Sequence, residues 1–333
     1  MRVAFDVRPV TDLGGVGRYS RCISEALRQT AAAGDELLDA GRPASGLRAK
    51  SVDVYHTPWI EGAMLHCPCP MVVTIHDLAA LKRRSEHLRG GLRLRLRPLA
   101  VQRAARVIVP TAAVAEDALT HLRIDPRRLA VIAEAADRVM HPRTPAEVAI
   151  VRHRLALPEQ YLLWVGSLQH PDPGAHVAEL AAAPRGLPLV MVGPTRPWAH
   201  ELPGVILTGR VSDDELAAIY CGARALLISS EQEGFGLPGV EALACGTPVV
   251  AAEGPALREA LGERAAFVPP GDMAALVATA ERAQRPAPAP PRWSWSDAAR
   301  STWAVYAEAI AERAPVRAAP IPLRRPAGGF ETR

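Results

Sequence analysis

The sequence predicts an α/β protein built from two domains, each with a parallel sheet and flanking helices. Three observations support this fold class. Short apolar runs typical of buried strands alternate with helical patterns along both halves of the chain. No repeat of solenoid period interrupts this alternation. The length of 333 residues favours about two domains, and 49% apolar residues are enough to fill two cores.

Composition argues against several classes of protein. The formal net charge of +4 is small for this length, so we do not expect nucleic-acid binding. The five cysteines show neither a C-x-x-C pair nor zinc-site spacing, so we expect reduced thiols and no bound metal. No apolar run approaches the roughly 20 residues that span a bilayer, and the chain opens with a strand rather than a signal peptide. These features together predict a cytoplasmic protein.

The first domain is predicted to cover residues 1–145. Its strands are predicted at 2–6, 52–56, 71–77, 106–110 and 129–132, where short apolar runs meet polar or turn residues. Thr111 is a predicted N-cap for a helix over 112–122. Residues 30–50 carry Ala, Gly and Pro without a clear period, and we interpret them as a shortened connection.

A glycine cluster follows the first strand and leads into a helical pattern. Gly14, Gly15 and Gly17 could let backbone N–H groups approach a phosphate closely, as in dinucleotide-binding turns. A plain tight turn is the alternative interpretation of the same residues.

Two polar residues, His76 and Asp77, end the buried strand that begins at Met71. Ligands of parallel sheets bind outside the carboxyl ends of the strands, so these residues are candidates for a binding site. The alternative is a histidine that only forms hydrogen bonds within its loop.

The arginine-rich stretch 82–106 places leucines 88, 92, 96 and 99 on one helical stripe flanked by arginines. Such a basic amphipathic helix could lie on an anionic membrane, which would suit a lipid-linked acceptor. In the alternative, the leucines pack on the sheet and the arginines are solvated.

The second domain is predicted over residues 158–290, after a hinge and short helix near 140–160. Its strands are predicted at 161–166, 189–192, 205–207, 223–229 and 265–268, and the first of them ends at Gly166. A last helix is predicted over 296–312, after the Trp293 and Trp295 pair. The proline-rich residues 314–333 are predicted to be a disordered tail.

Residues 231–250 combine two carboxylates with a loop-to-helix junction. Glu233 lies in the loop, Pro238 occupies the first helical turn, and Glu241 lies about one turn inside the helix, which Gly246 ends. A helix start presents unpaired N–H groups and suits anions. Carboxylates there would repel a phosphate but accept hydrogen bonds from the vicinal hydroxyls of a sugar or ribose. A solvated turn with acids favoured by the helix dipole is the alternative.

Residues 233–249 match E-G-F-G-L-P-x-x-E-A-x-A-x-G-x-P-V at every fixed position, and so resemble the retaining glycosyltransferases of family 4. The G-G-V-G-R-Y stretch at 14–19 and T-I-H-D-L at 74–78 are also similar to that family. The resemblance implies the GT-B fold, in which two Rossmann-like domains face each other across a cleft and the last helix crosses back to the first domain.

The resemblance also implies roles for individual residues. Glu241 would bind the ribose diol of a nucleotide sugar, while Glu233, with N–H groups near Phe235 and Gly236, would hold the transferred sugar. His76 would contact that sugar, and Arg210 would lie over the nucleotide base. The remaining donor-binding candidates are the glycines Gly14, Gly15, Gly17 and Gly166 and the helix start at Leu237.

One departure from the family pattern concerns the diphosphate. Family members usually carry an Arg and a Lys after V-G-x-L, but residues 165–174 contain neither, and Asp172 falls near the expected lysine. Losing two charge-assisted hydrogen bonds, at about 1.5 to 3 kcal/mol each, would weaken donor binding at least a hundred-fold. The replacement candidates are Arg18, Arg196, Arg210 and a protonated His170.

The resemblance therefore implies a metal-independent, retaining glycosyltransferase that moves a mannosyl or glucosyl group from a nucleoside-diphosphate sugar to a hydroxyl acceptor. The acceptor would be a glycan, a lipid-linked molecule or a small molecule, and the protein would be cytoplasmic, with possible peripheral contact at the inner membrane face. A catalytically weak homologue that binds nucleotide sugars or serves as a partner subunit is the main alternative. Two further alternatives are less well supported. A phosphorylase of the same fold would need a basic pocket for free phosphate, which residues 166–174 do not supply. A nicotinamide dehydrogenase could use the glycine turn at 14–17 but would not explain the motif at 233–249.

Overall fold

Two parallel six-stranded sheets organise the chain, and the predicted α/β class with two sheet domains is confirmed. The computed structural model describes residues 1–12, 14–41, 52–78 and 91–312, without the side chains of 91–95. The strand order is β2-β1-β3-β4-β5-β6 in the first sheet and β12-β11-β10-β7-β8-β9 in the second. Within these ranges, no helix is long and apolar enough to cross a membrane.

The first sheet consists of β1 (Arg2–Asp6), β2 (Glu36–Ala40), β3 (Val54–Thr57), β4 (Met71–Thr74), β5 (Arg106–Val109) and β6 (Leu129–Val131). Helices α1 (Gly15–Thr30), α2 (Gly91–Val101) and α3 (Ala112–Leu122) accompany it. Strands β3, β4 and β5 are buried along their whole length, as expected for parallel strands covered on both faces. The predicted cap of α3 is confirmed, because the Thr111 side chain accepts a hydrogen bond from Val114 N.

The second sheet consists of β7 (Leu162–Val165), β8 (Leu189–Val192), β9 (Val205–Gly209), β10 (Ala225–Ile228), β11 (Val249–Ala252) and β12 (Ala265–Val268). Its helices are α4 (Pro145–Arg154), α5 (Val177–Ala182), α6 (Asp213–Gly222), α7 (Leu237–Ala244), α8 (Pro255–Leu261) and α9 (Met273–Glu281). The strand order reverses between β10 and β7, so a crevice opens at the carboxyl ends of these two strands.

The interpretation of residues 30–50 as a plain connection is wrong for its first half. Strand β2, with the sequence Glu-Leu-Leu-Asp-Ala, pairs in parallel with β1 at the edge of the first sheet. Its Glu, Asp and Ala have low strand propensity, and pairing with the buried β1 overrides that preference. Residues 42–51 lie outside the described part of the chain.

The segment between the two sheets packs with the second one. Helix α4 begins at a capping box, in which Thr144 and Glu147 satisfy each other's backbone N–H groups. Met140 and Leu157, on either side of this helix, belong to the buried core of the second sheet. The predicted tail, 314–333, lies outside the described residues.

A last helix, α10 (Trp295–Ala311), returns to the first sheet as the fold prediction requires. Its buried face carries Ala299, Trp303 and Tyr306, which pack with Tyr19, Ile23 and Leu27 of α1. The indole Nε1 of Trp303 donates a 3.2 Å hydrogen bond to the Leu27 carbonyl. Helix α10 therefore attaches to the first domain through apolar packing and a hydrogen bond.

A chain of buried hydrogen bonds fixes α10 against the first sheet. The Tyr306 hydroxyl lies 2.6 Å from His56 Nδ1, and His56 Nε2 lies 2.9 Å from the Thr74 hydroxyl. Burial lowers the pKa of His56 to about 3, so the ring stays neutral at physiological pH. Each nitrogen of the buried ring has a partner, which avoids the cost of an unpaired polar group.

Only the end of the predicted basic stripe lies among residues with described side chains. Leu99 is 49% exposed, so it does not pack on the sheet as one interpretation required. Arg97 Nη1 lies 3.0 Å from Glu61 Oε1, which pairs this arginine within the first domain. Residues 82–90 and the side chains of 91–95 lie outside the description.

We expect Tyr306→Phe to lower the free energy of unfolding by about 1–3 kcal/mol, because His56 Nδ1 would lose its partner inside the core. Hydrogen exchange should show faster exchange of the α10 amides. Tyr161→Phe is the control, since that hydroxyl donates to the Ile219 carbonyl in the second domain. Equal protection of α10 in both variants would contradict the assigned anchoring role.

Candidate active site

A cavity of about 550 Å³ lies in the crevice between the domains. Gly15 and Asp77 line it from the first domain. The second domain lines it with the segments that follow β7 and β10, including Gly166, Ser229 and Glu233. The cavity therefore lies where the second sheet reverses its strand order, the usual ligand position in such folds.

The start of helix α7 forms one wall of this cavity. Gly236 is the N-cap and has φ +83°, a left-handed conformation that favours glycine. A Cβ at this position would lie 2.4 Å from Leu257 Cδ2, so a larger residue would also have to displace the end of that side chain. The side chains of Phe235 and Leu237 are buried in the core of the second sheet. Any ligand contact of those two residues is therefore through the main chain.

Glu233 lines the cavity from the loop before α7. Burial raises its pKa to about 7, the charge of Asp77 adds to the rise, and a hydrogen bond with Ser230 opposes it. The carboxyl group is thus balanced between its acid and its carboxylate near neutral pH, as is common for groups in functional sites.

Glu241 lies one turn inside α7 and is only 2% exposed. Tyr220 donates a 3.3 Å hydrogen bond to its Oε2. Its Oε1 lies 3.1 Å from Arg18 Nε but forms no aligned hydrogen bond within the described residues. Burial raises the pKa of Glu241 to about 7, and the Arg18 charge opposes that rise. One buried oxygen therefore keeps unused capacity to accept a hydrogen bond.

The loop that carries Glu233 touches both domains. Gly234 packs so closely on the first domain that a Cβ would lie 1.6 Å from the His76 carbonyl oxygen. The Gly234 carbonyl also accepts a 3.0 Å hydrogen bond from the Thr111 hydroxyl. Nearby, the Glu259 carboxylate accepts from the N–H groups of Ala112 and Ala113 at the start of α3. These contacts fix Glu233 relative to the first domain.

The His76 ring does not line the cavity; its neighbour Asp77 does. Nε2 of His76 donates to the Pro58 carbonyl at 2.9 Å, and Nδ1 lies 3.0 Å from Glu134 Oε1. Burial opposes protonation, but these two acceptors outweigh it and raise the pKa of His76. Sequence reasoning missed Glu134, although its place just after β6 puts it at the same edge of the first sheet.

The three glycines of the first loop have different positions. Gly15, the first residue of α1, lines the cavity. Gly14 N donates a 2.6 Å hydrogen bond to Asp12 Oδ1 within the turn. A Cβ on Gly17 would lie 2.0 Å from the Asp12 carbonyl oxygen, so this glycine is needed to seat α1 on the preceding turn. Gly14 and Gly17 thus form the tight turn, while phosphate binding at Gly15 stays a prediction.

Acidic side chains line the described part of the cavity. Asp77, Asp172 and Glu233 line it, while His170 and Ser167 occupy the segment after Gly166. Among the lining residues that the structure describes, there is no arginine or lysine. The lack of arginine and lysine in residues 165–174 thus extends to the described lining of the cavity.

The three arginines that were candidates to replace the missing basic residues do not line this cavity. Arg210 lines a separate hollow of about 420 Å³, with Arg21 across from it, and Arg196 is an exposed residue before a short helical turn. Arg18 pairs with Glu241 and Asp213. Across the described ranges, no group of three or more His, Cys, Asp and Glu side chains is placed to hold a metal ion.

Known protein families account for both halves of the chain. The family described as Glycosyltransferase Family 4 matches residues 37–138, and the one described as Glycosyl transferases group 1 matches residues 159–285. A D-inositol 3-phosphate glycosyltransferase of Geodermatophilus obscurus is 31% identical over 324 residues, which cover 83% of this chain and 71% of that protein.

A second relative is the MMP alpha-(1->4)-mannosyltransferase of Mycolicibacterium hassiacum. It is 32% identical over 235 residues, or 62% of this chain. This chain spans 54% of that relative's length.

Solved structures show the same fold. HepE of Anabaena, in complex with UDP and glucose, superposes with a TM-score of 0.65 at 17% identity, over 94% of both chains. Sucrose-phosphate synthase of Thermosynechococcus elongatus gives a TM-score of 0.66 at 20% identity, over 94% of this chain and 97% of that one. Two parallel sheets, the interdomain cavity and these matches agree: the chain belongs to glycosyltransferase family 4 and has the GT-B fold.

Proposed function

We propose that this protein transfers a hexosyl group, of mannosyl or glucosyl type, from a nucleoside-diphosphate sugar to a hydroxyl acceptor with retention of configuration. The observation that carries the proposal is the pair of carboxyl groups beside the start of α7, both with a pKa raised to about 7. One lines the interdomain cavity and the other lies buried behind it. The mannosyltransferase and inositol 3-phosphate glycosyltransferase relatives support the same reaction class.

Glu241 is the proposed ligand of the donor ribose. A carboxylate can accept hydrogen bonds from two neighbouring hydroxyls, and its Oε1 has no hydrogen bond among the described residues. A buried acceptor without a partner is costly, so a ligand hydroxyl that fills it gains more than it would in water.

Glu233 is the proposed residue on the transferred sugar. Its carboxylate would accept from the sugar hydroxyls and offset positive charge as the bond to the leaving group breaks. The loop contacts of Gly234 with Thr111 and His76 hold it in place for this task. His76, engaged at both ring nitrogens, would reach a sugar only after exchanging one of those hydrogen bonds.

The diphosphate would lie between Gly15 and the start of α7, where backbone N–H groups and the helix dipole favour an anion. The leaving phosphate oxygen would take the acceptor proton on the same face of the sugar. This picture requires neither a protein nucleophile nor a metal ion. We therefore propose that activity survives removal of divalent cations.

The acceptor would enter the cavity from the side of the first domain. We also propose that the protein is cytoplasmic, because nucleotide-sugar donors would be available to it in that compartment. If the acceptor is lipid-linked, residues 82–106 are the proposed contact with an anionic membrane surface. Binding to anionic vesicles but not neutral ones would support that contact, and negligible binding to both would end it.

A second candidate function is nucleotide-sugar binding with little or no turnover, alone or as a partner subunit. It is favoured by the described cavity lining, which includes Asp77, Asp172 and Glu233 but no arginine or lysine. Helix dipoles contribute about 0.3–2 kcal/mol and do not replace two charged donors.

Calorimetry against UDP-, GDP-, ADP- and dTDP-sugars should reveal binding of at least one donor. Incubation of that donor with candidate hydroxyl acceptors should yield glycoside of unchanged anomeric configuration, with or without EDTA. Binding without hydrolysis or transfer would favour the second candidate. Binding to none of the donors would contradict both.

We expect the rate of transfer to rise with pH around a midpoint near 7, because the proposed role of Glu233 requires its carboxylate. Glu233→Gln should lower kcat about 100-fold and remove that part of the pH profile. Glu253→Gln, at an exposed acid paired with Arg258, should leave both unchanged. A wild-type profile that is flat between pH 5 and 9 would contradict the assignment.

Glu233→Gln should also raise Tm at pH 8, by about 2 °C or more. The folded protein raises the pKa of this group from 4.5 to about 7, so it favours the protonated acid. Ionisation between those pH values therefore weakens the fold, and the full cost is present at pH 8. At pH 4.5 the gain should disappear. Equal Tm values for variant and wild type at pH 8 would show that ionisation of Glu233 does not destabilise the folded protein.

A further inference from the structure

Arg18 bridges the two domains at the inner end of the cleft. It lies on α1 of the first domain, and both of its partners belong to the second. Arg18 Nη2 lies 2.7 Å from Asp213 Oδ1, and Nε lies 3.1 Å from Glu241 Oε1. The arginine side chain is 13% exposed and that of Glu241 only 3%. The guanidinium therefore covers the carboxylate from the side of the first domain.

This contact leaves Glu241 paired by charge but not by an aligned hydrogen bond. Nε is close to Oε1, yet Oε1 makes no hydrogen bond in the described structure. Glu241 does not line the 550 Å³ cavity, although Glu233 and Gly236 of the same segment do. The Arg18 guanidinium therefore occupies one side of Glu241, at the oxygen that a ribose hydroxyl would use.

The described lining of the cavity beside this pair offers no arginine or lysine to a diphosphate. It carries three carboxylates. Gly15 lines the cavity, and Arg18 lies three positions further along the same helix. Residues so spaced share one helix face, so a guanidinium released from Glu241 would lie within one turn of the cavity wall.

We propose that Arg18 exchanges partners when the donor binds: the ribose hydroxyls take over Glu241, and the freed guanidinium turns to the diphosphate. No covalent bond changes in this step, which rests on the proposed donor class. The exchange assigns Arg18 as a donor-binding residue that supplies the positive charge missing after Gly166.

The exchange keeps each charged group partnered. Glu241 loses a charge that is not aligned with it and gains two hydroxyl donors. Arg18 loses a carboxylate and gains a diphosphate, which its planar fork of N–H groups fits well. Asp213, whose side chain is 45% exposed, can return to water. Because Arg18 and its partners lie in different domains, donor binding would also change the contact between them.

Calorimetry of Arg18→Gln with paired ligands tests this exchange. The ligands are whichever of UDP, GDP, ADP and dTDP binds the wild type most tightly, and its nucleoside without phosphate. We expect the variant to bind the diphosphate about ten-fold or more weakly, because a charge-assisted contact is lost. The nucleoside should bind equally well or more tightly, because Arg18 no longer competes for Glu241. Arg28→Gln is the control, since its partner Asp39 lies in the first domain.

Other outcomes overturn the inference in distinct ways. If both ligands bind more weakly, Arg18 only supports Glu241, and if both bind more tightly, it only blocks the site. Unchanged affinities would show that it has no part in binding. Wild type that binds none of the four nucleoside diphosphates would contradict the proposed function itself, and the exchange with it.

Discussion

A carboxyl group buried between two domains, that of Glu241, is the feature on which the arrangement of the cleft depends. Glu241 is almost inaccessible to water, and its burial alone would drive it to the protonated form. Arg18 from the other domain and the Tyr220 hydroxyl offset that cost. The two domains therefore meet at a charge pair that neither could form alone. Such a pair contributes little net stability compared with apolar packing, which suggests that it is kept for another purpose.

Close backbone contacts of the intervening glycines fix the positions of Glu233 and Glu241. Gly234 touches the His76 carbonyl, and Gly236 turns the chain through a left-handed conformation into α7. A side chain at Gly234 would push the loop away from the first domain, and one at Gly236 would be strained by its left-handed conformation. Glu233 and Glu241, on either side of this turn, are thus fixed relative to each other and to the cavity. Their raised pKa values follow from the same enclosure.

The electrostatics of the cavity separate this chain from the pattern it otherwise follows. Acids line the wall where a diphosphate would lie, and Ser167 and His170 stand in the segment where basic residues were expected. The nearest described arginine of the opposing helix, Arg18, is held by Asp213 and Glu241. If the protein binds a nucleotide sugar as we propose, the described groups that could meet its diphosphate are His170, backbone N–H groups and a rearranged Arg18.

The sequence by itself determined what local chemistry controls. The run Leu189–Val192, the helix Ala112–Leu122 with its Thr111 cap, and the loop-to-helix turn before Glu241 were predictable because apolar period, capping residues and glycine act over a few neighbours. Strand β2 was missed because its residues favour a strand only when β1 lies beside them. The tertiary structure alone decided which groups share the site: Glu134 on His76, Arg18 on Glu241 and Asp77 facing Glu233. Those pairs join residues far apart in the chain: the fold of the first sheet brings Glu134 to His76, whereas the other two pairs form only where the two domains meet.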